Sequence, residues 1–451
     1  MSAAPAAGKP GGLSALDGVA FMVGIIFGIG IFKTPPLIAA QVESDLAFVA
    51  AWMVGGIVTL AGALCYAELA AAHPDRGGEY HFLARAYGRR LAVLFAWARG
   101  TVIQTGAIAA VAFVYGDYAQ ALLPLGTHGA DLHAALMVIL VTALNLAGTR
   151  SSSLGQRLFT SLTILAILAV AGAGFLVSDV TPSAPARAAD SSAAFGMAMV
   201  FVLLTYGGWS EAAYLAGEMR NVARTMTLTL VAGTITVVAV YGLFNLALLN
   251  AFGLEGLRAS EAPAADLMGA LAGPAGEVVL AIVVCIMAVS TLNGTIATGA
   301  RGLHALGADV PALSFLSRSE ITQGAPRAAL LLQCGLALAL ILFGALTRDG
   351  FKAMVDFTAP VFWAFLLLVS IALFLFRLRE PDRARPFKVP LYPLTPLLFA
   401  AACAGLLYAS LAYTGMGALV GVGVVLAGVP LLFFLGPQAS QVGPAAQQPA
   451  E

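Results

Sequence analysis

The chain has 451 residues, of which 60% are hydrophobic and 10% charged, and its formal net charge is zero. A soluble domain carries roughly a quarter charged residues, so the composition excludes an ordinary soluble protein and predicts many membrane crossings. The neutral balance offers nothing to a nucleic acid.

Residues 1–13 are Ala/Pro/Gly-rich and lack the apolar core of a cleaved signal peptide, which predicts a disordered tail. Twelve apolar runs follow, near 17–39, 46–72, 91–115, 132–149, 155–177, 195–217, 226–250, 277–300, 328–346, 353–376, 391–412 and 415–435. Each is long enough to cross a bilayer. Residues 436–451 read as a second disordered tail. The predicted class is therefore an all-α membrane protein with twelve transmembrane helices.

The first run contains Val23-Gly24-Ile25-Ile26-Phe27-Gly28-Ile29-Gly30-Ile31-Phe32. Its closely spaced glycines weaken a helix that lipid alone would want continuous. The sixth run repeats the weakness at Thr205-Tyr206-Gly207-Gly208-Trp209-Ser210. Interrupted spans at corresponding places in two halves point to a ligand site near the bilayer midplane. Spans 1–5 (14–180) and 6–10 (190–380) would then form an inverted repeat, with spans 11–12 (388–435) appended. Seventeen basic residues fall on the side of both termini and five on the other. By the positive-inside rule both termini are cytoplasmic in a multi-pass protein of the plasma (inner) membrane.

An unwound helix exposes backbone groups that lipid cannot satisfy. The N–H groups opening the half-helix near Gly30-Ile31 suit a carboxylate. Carbonyls at Ile25 to Phe27, and at Leu204 to Tyr206, suit an ammonium. Together they predict an α-amino acid ligand. The competing reading is that these glycines only let helices pack closely.

Ionisable groups in the membrane are functional candidates by default. Glu211 lies just past the second break, either as a proton-coupling carboxylate or as the structural partner of a base. Arg99 is within reach of Glu68 or Glu211, or snorkels to the inner face. Glu68 is expected in a structural pair, and Glu79 and His81 on a solvated surface or in an inner gate. Cys65, Cys285, Cys334 and Cys403 stand singly in apolar segments, with neither a metal-ligand spacing nor a disulfide framework. No phosphate loop, metal cluster or nucleophile–base pair is present, which argues against an enzyme or an ATP-driven pump.

These segments resemble the amino acid–polyamine–organocation transporters, especially the L-amino-acid-transporter-like branch. Gly28-Ile29-Gly30-Ile31-Phe32 stands where that family has G-S-G-I-F. Cys65-Tyr66-Ala67-Glu68-Leu69 with Pro74 to Tyr80 is similar to its Y-A-E-L…P-x-x-G-G-x-Y segment. Tyr206-Gly207-Gly208-Trp209 with Glu218 to Asn221, Asn293-Gly294 with Arg301, and Arg385 to Pro393 match later signatures in order. The resemblance spans about residues 14 to 435. It implies the LeuT-type 5+5 inverted repeat, with discontinuous helices 1 and 6 plus two C-terminal helices. It also implies secondary active transport by alternating access, through exchange or ion-coupled symport.

Carried over by position, the amides of Gly28, Ile29 and Gly30 would hold the substrate carboxylate, and Ile25 and Gly207 would border it. Tyr206 and Trp209 would be the aromatic neighbours and gate of the side chain, with Gln104 and Thr105 placed by depth. An otherwise small, apolar lining favours neutral L-α-amino acids. Many relatives carry a span 5 lysine in place of a coupling sodium, but Thr163 occupies that position here. Ser290 and Thr291, with the carbonyls of Gly24, Phe27 and Met287, form a candidate sodium site, or simply bond their own helix. Sodium or a proton is thus the candidate coupling ion, and no other cofactor is expected. The alternatives are an amino-acid sensor on the same fold and a carrier of cationic amino acids or polyamines.

Overall fold

A computed structural model describes residues 13–28, 30–75, 77–147, 153–177, 180, 195–219, 221–318, 326–347, 349–413 and 416–435. Ile29 and both expected tails, apart from Leu13, lie outside them. In chain order the helices are α1 (Ala15–Ile26), α2 (Gly30–Ala39), α3 (Asp45–Ala72), α4 (Glu79–Tyr87), α5 (Arg89–Ala98) and α6 (Gln104–Leu122). Then come α7 (Gly129–Leu146), α8 (Ser153–Leu176), α9 (Phe195–Thr205), α10 (Val222–Ala259) and α11 (Pro263–Asp309). The last are α12 (Phe315–Arg318), α13 (Arg327–Ala345), α14 (Gly350–Arg379), α15 (Leu394–Tyr413) and α16 (Met416–Leu426).

Among the described residues there is no strand, only an isolated bridge from Leu13 to Met219 that ties the start of the chain to the second break. Among the described residues nine helices are long and apolar enough to cross a membrane, or ten when α1 and α2 count as one bent span. The apolar stretches Thr160–Leu176 and Phe195–Thr205 are shorter. Large apolar side chains such as Leu140, Val279 and Leu342 are exposed on α7, α11 and α13, as a lipid-facing surface requires.

The first break falls where the glycines predict it. Ser14 caps α1 in a reciprocal box with Asp17, and the helix stops at Ile26. It resumes at Gly30, bent by 51°. In the second broken segment α9 ends at Thr205, and a 3-10 helix, Trp209–Glu218, follows. Between them Gly208 has φ 105°, a left-handed value that glycine adopts without the Cβ penalty. Span 7 extends past its expected end at 250, because left-handed Gly253 lets a further helical turn fold over the bundle end.

α3 packs along α10, α6 along α11 and α7, and α1 along α8 and α10. The end of the bundle bearing Arg85, Arg89 and Arg377 is tied by ion pairs and carbonyl contacts. The Arg377 guanidinium donates to both Glu68 oxygens at 2.8 and 2.6 Å, and the Val389 amide donates to the same carboxylate at 2.6 Å. Glu68 thus fastens the end of α3 to α14 and the loop beyond it, as the sequence suggests. Arg85 meets Glu380 at 2.9 Å, and Arg89 donates to the Asp309 carbonyl at 2.7 Å.

At this end His73 is buried against Phe376, with its Nδ1 unpartnered among the described residues. Burial, followed by the Arg383 charge, pushes its imidazole down to about 4. The folded protein therefore keeps His73 neutral where the unfolded chain, with an ordinary histidine near 6.5, binds a proton. This contribution to stability is complete above pH 6.5 and is lost as pH falls towards 4. The melting temperature in detergent should fall across that window, and His73→Phe should flatten the fall. An unchanged slope in the variant would assign the acid sensitivity elsewhere.

Candidate functional site

The two breaks meet face to face. A Cβ on Gly208 would sit 2.8 Å from the Ile25 Cγ2, so the second break is in contact with the end of α1. The Thr205 hydroxyl lies 3.0 Å from that of Thr34, joining α9 to α2. The Tyr241 hydroxyl of α10 donates to the Ile26 carbonyl at 2.7 Å. Part of the backbone polarity released by the first break is therefore satisfied by a span 7 phenol, as burial demands.

A cavity of about 240 Å³ opens between the breaks, below the roughly 300–1,000 Å³ of drug-sized sites. Of the predicted binding residues, Ile25, Gly28, Gly30, Gly207 and Gln104 line it, together with Thr291 and Glu211 from the ion-coupling candidates. Gln104 is anchored through Nε2 to the Thr298 hydroxyl at 3.0 Å. Ala107, Ala110, Val111, Phe351, Val355 and Phe362 make an apolar wall. The lining is also more hydroxylic than expected, since Thr34, Thr205, Ser210, Thr295, Thr298 and Thr358 contribute to it.

Tyr206 and Trp209 are not part of that lining. Tyr206 turns away into the core, edge-on to Trp52 at 5.8 Å, with its hydroxyl 3.3 Å from the Trp52 carbonyl. Trp209 packs on Tyr66 at 4.8 Å and on Phe399 at 5.8 Å. The left-handed turn at Gly208 sends the chain into a tighter helix, so no α-helical face continues across the break. Thr105 is likewise buried and bonds the Thr101 carbonyl of its own helix at 2.6 Å.

Of the remaining ion-coupling candidates, Gly24 lies in the last turn of α1 and Phe27 caps it. Gly24 and Ser290 are half-buried, and Phe27, Met287 and Thr163 are buried. Thr291 approaches closely, its Cγ2 3.7 Å from where a Gly28 Cβ would lie. Beside Thr163, one turn earlier on α8, the Thr160 hydroxyl donates to the Ala20 carbonyl of α1 at 2.9 Å.

A π-helical turn at Arg99–Ile103 separates α5 from α6, a distortion often found at functional sites. Gln104 borders the cavity just beyond the turn, and Arg99 at its start meets Glu211. The Arg99 guanidinium donates to both Glu211 oxygens at 2.9 and 2.8 Å and lies 3.5 Å from Glu79. It also stacks 4.4 Å over the Tyr214 ring. Glu79 accepts the Tyr66 and Tyr214 hydroxyls at 2.6 and 3.2 Å. Burial raises its carboxyl, and Arg99 opposes the rise. Glu79 therefore belongs to a buried network and not to a solvated surface.

Glu211 and Thr298 also border a second cavity of about 360 Å³, lined by Arg99, Tyr80, Tyr214, Arg301 and Asp309. The Arg99–Glu211 pair thus stands between the two spaces. At the other end of α6, Asp117 pairs with Lys33 of α2 at 2.7 Å. The span that carries Arg99 is therefore latched on both sides of the central cavity, to the second broken segment on one side and the first on the other.

The amino acid permease family matches residues 13–435. The b(0,+)-type amino acid transporter 1 of Mus musculus is 28% identical over 386 residues, covering 84% of this chain and 78% of its own. The serine/threonine exchanger SteT of Bacillus subtilis (strain 168) is 26% identical over 425 residues, covering 93% and 95%. The cystine/glutamate transporter of Homo sapiens is 25% identical over 427 residues, covering 93% and 84%.

Proposed function

The chain belongs to the amino acid permease family, whose relatives here are amino acid transporters and not enzymes, and from that premise we propose that it exchanges neutral L-α-amino acids. The observation that carries this reading is the small cavity between two touching helix breaks. The amides of Ile29 and Gly30 take the substrate carboxylate, while the Gly28 amide, expected to share it, already donates to the Ile26 carbonyl at 2.6 Å. With the Ile26 carbonyl bonded to Tyr241 and the Leu204 carbonyl to the Gly207 amide at 3.0 Å, the ammonium falls to the carbonyl near Ile25. The side chain faces the apolar wall. Among the described residues Glu211 is the only ionisable one of the lining, and Arg99 already neutralises it, so a charged substrate side chain finds no free counter-charge among them.

The fuller architecture belongs to the same proposal: twelve spans, a 5+5 inverted repeat of LeuT type, and an arginine-bearing end on the cytoplasmic side of the plasma membrane. Alternating access then opens the central cavity to one face at a time. Exchange is supported by the similarity to the serine/threonine exchanger SteT. Sodium coupling at Ser290 and Thr291 is the second reading, favoured by the approach of Thr291 to Gly28.

Counterflow in proteoliposomes tests both readings. Vesicles loaded with unlabelled L-alanine, L-serine and L-leucine are offered each amino acid as a labelled trace, in sodium or choline buffer. Accumulation in both buffers is the expected result and sinks obligatory sodium coupling. Accumulation in sodium alone promotes Ser290 and Thr291 to ion ligands. No accumulation by correctly inserted protein overturns transport of neutral amino acids.

A further inference from the structure

The second cavity has its own charge pattern, distinct from that of the central one. Arg99 and Glu211 satisfy each other at its inner wall. Arg301 lines it one helical turn beyond Thr298 and is exposed at its mouth. Among the described residues Arg301 has no hydrogen bond or ion pair. Asp309, on the same helix, accepts the Tyr80 hydroxyl but pairs with no described base. The space therefore offers an unpaired cation, Arg301, and a carboxylate, Asp309, whose main-chain carbonyl receives Arg89, in a partly apolar enclosure, which suits a zwitterion better than a simple anion. At about 360 Å³ it is roomier than the central cavity.

We propose that this cavity is a second amino-acid station, in which the Arg301 guanidinium holds the substrate carboxylate on the arginine-bearing side of the Arg99–Glu211 barrier. The proposal rests on the transport reading above. An arriving α-amino acid docks its carboxylate on Arg301, with the Asp309 carboxylate in the same lining facing its ammonium. When the Arg99–Glu211 pair parts, Thr298 and Glu211, which border both cavities, lead the substrate from one to the other. Arginine suits the role, because its fork matches a carboxylate in a way that a point charge does not.

The test is sidedness. Exchange is measured in vesicles whose protein orientation is scored by impermeant labelling, with the fastest-carried of L-alanine, L-serine and L-leucine as probe. Arg301→Gln should raise the half-saturating concentration about tenfold on the arginine-bearing side, the usual worth of a charge-assisted hydrogen bond. Half-saturation on the opposite side should stay unchanged, which also shows that the variant folds. Arg301→Lys should recover part of the loss. An unchanged value on both sides reduces Arg301 to a solvated cation and overturns the proposal. An equal rise on both sides also overturns it, because Arg301 would then act through the central site. A wild-type protein that carries none of the three probes fails the transport reading itself, an outcome distinct from carriage that ignores Arg301.

Discussion

Arg99→Gln should stop transport and lower the melting temperature more than Glu211→Gln does. Arg99 is buried, and it serves the buried Glu79 carboxylate and the half-buried Glu211 carboxylate. Removing it leaves both acids without their cation, and breaking a buried pair from one side costs roughly 3–5 kcal/mol. Glu211→Gln is milder, because Arg99 keeps Glu79 at 3.5 Å and its stack on Tyr214. The double variant should melt above Arg99→Gln, since one uncompensated charge has gone with its partner. Thermal melts of the three purified variants in detergent decide the order. Equal losses from both single variants would show that Glu79 contributes nothing and that the pair stands alone. Transport should be the more sensitive readout for the milder variant. Glu211→Gln weakens the barrier between the cavities while leaving the fold in place, so its exchange rate should change more than its melting temperature.

The glycine pattern made both breaks legible before any coordinates. Gly28 and Gly30 mark a helix that stops at Ile26, and Gly207 and Gly208 one that stops at Thr205. Side-chain direction beyond a break was not legible, because direction is inferred from a constant period and the period changes there. Trp209 follows a left-handed residue and enters a 3-10 helix, so its ring meets Tyr66 and Phe399 instead of the cavity. Long-range pairing was hidden for another reason. Arg99 had several acids within plausible reach; Glu68 went to Arg377, leaving Glu211 and Glu79. Tyr241, which caps the Ile26 carbonyl, gave no signal at all, since a tyrosine in an apolar span reads as packing until its hydroxyl finds a partner. The threonines of the lining were equally silent. Thr34, Thr298 and Thr358 bond carbonyls of their own helices, as membrane threonines commonly do, while their oxygens still border the cavity.

Gly208→Ala should reduce exchange by an order of magnitude or more, and Gly88→Ala should serve as a control for backbone strain alone. Both glycines have positive φ, with ψ -16° at Gly208 and 165° at Gly88. Alanine costs about 1–2 kcal/mol in the left-handed region of Gly208 and about 1–3 kcal/mol in the region of Gly88, which is open essentially only to glycine. Only at Gly208 does the new methyl meet a neighbour, the Ile25 Cγ2 at 2.8 Å, whereas at Gly88 nothing lies within 4 Å. Gly88→Ala carries at least as much strain without a new contact, so exchange kept there and lost in Gly208→Ala assigns the loss to the contact between the two breaks. Because Ile25 and Gly208 both line the central cavity, separating them displaces the backbone proposed to hold the substrate. Half-saturation should therefore rise together with the loss of rate. Ile25→Ala removes the Cγ2 and should restore part of the exchange in the double variant, though not the melting temperature lost to left-handed alanine. If Gly208→Ala and Gly88→Ala lose equal stability and equal exchange, the contact between the breaks has no role in transport. If Gly208→Ala alone loses exchange and Ile25→Ala repairs it, the site is built on the apposition of two broken helices.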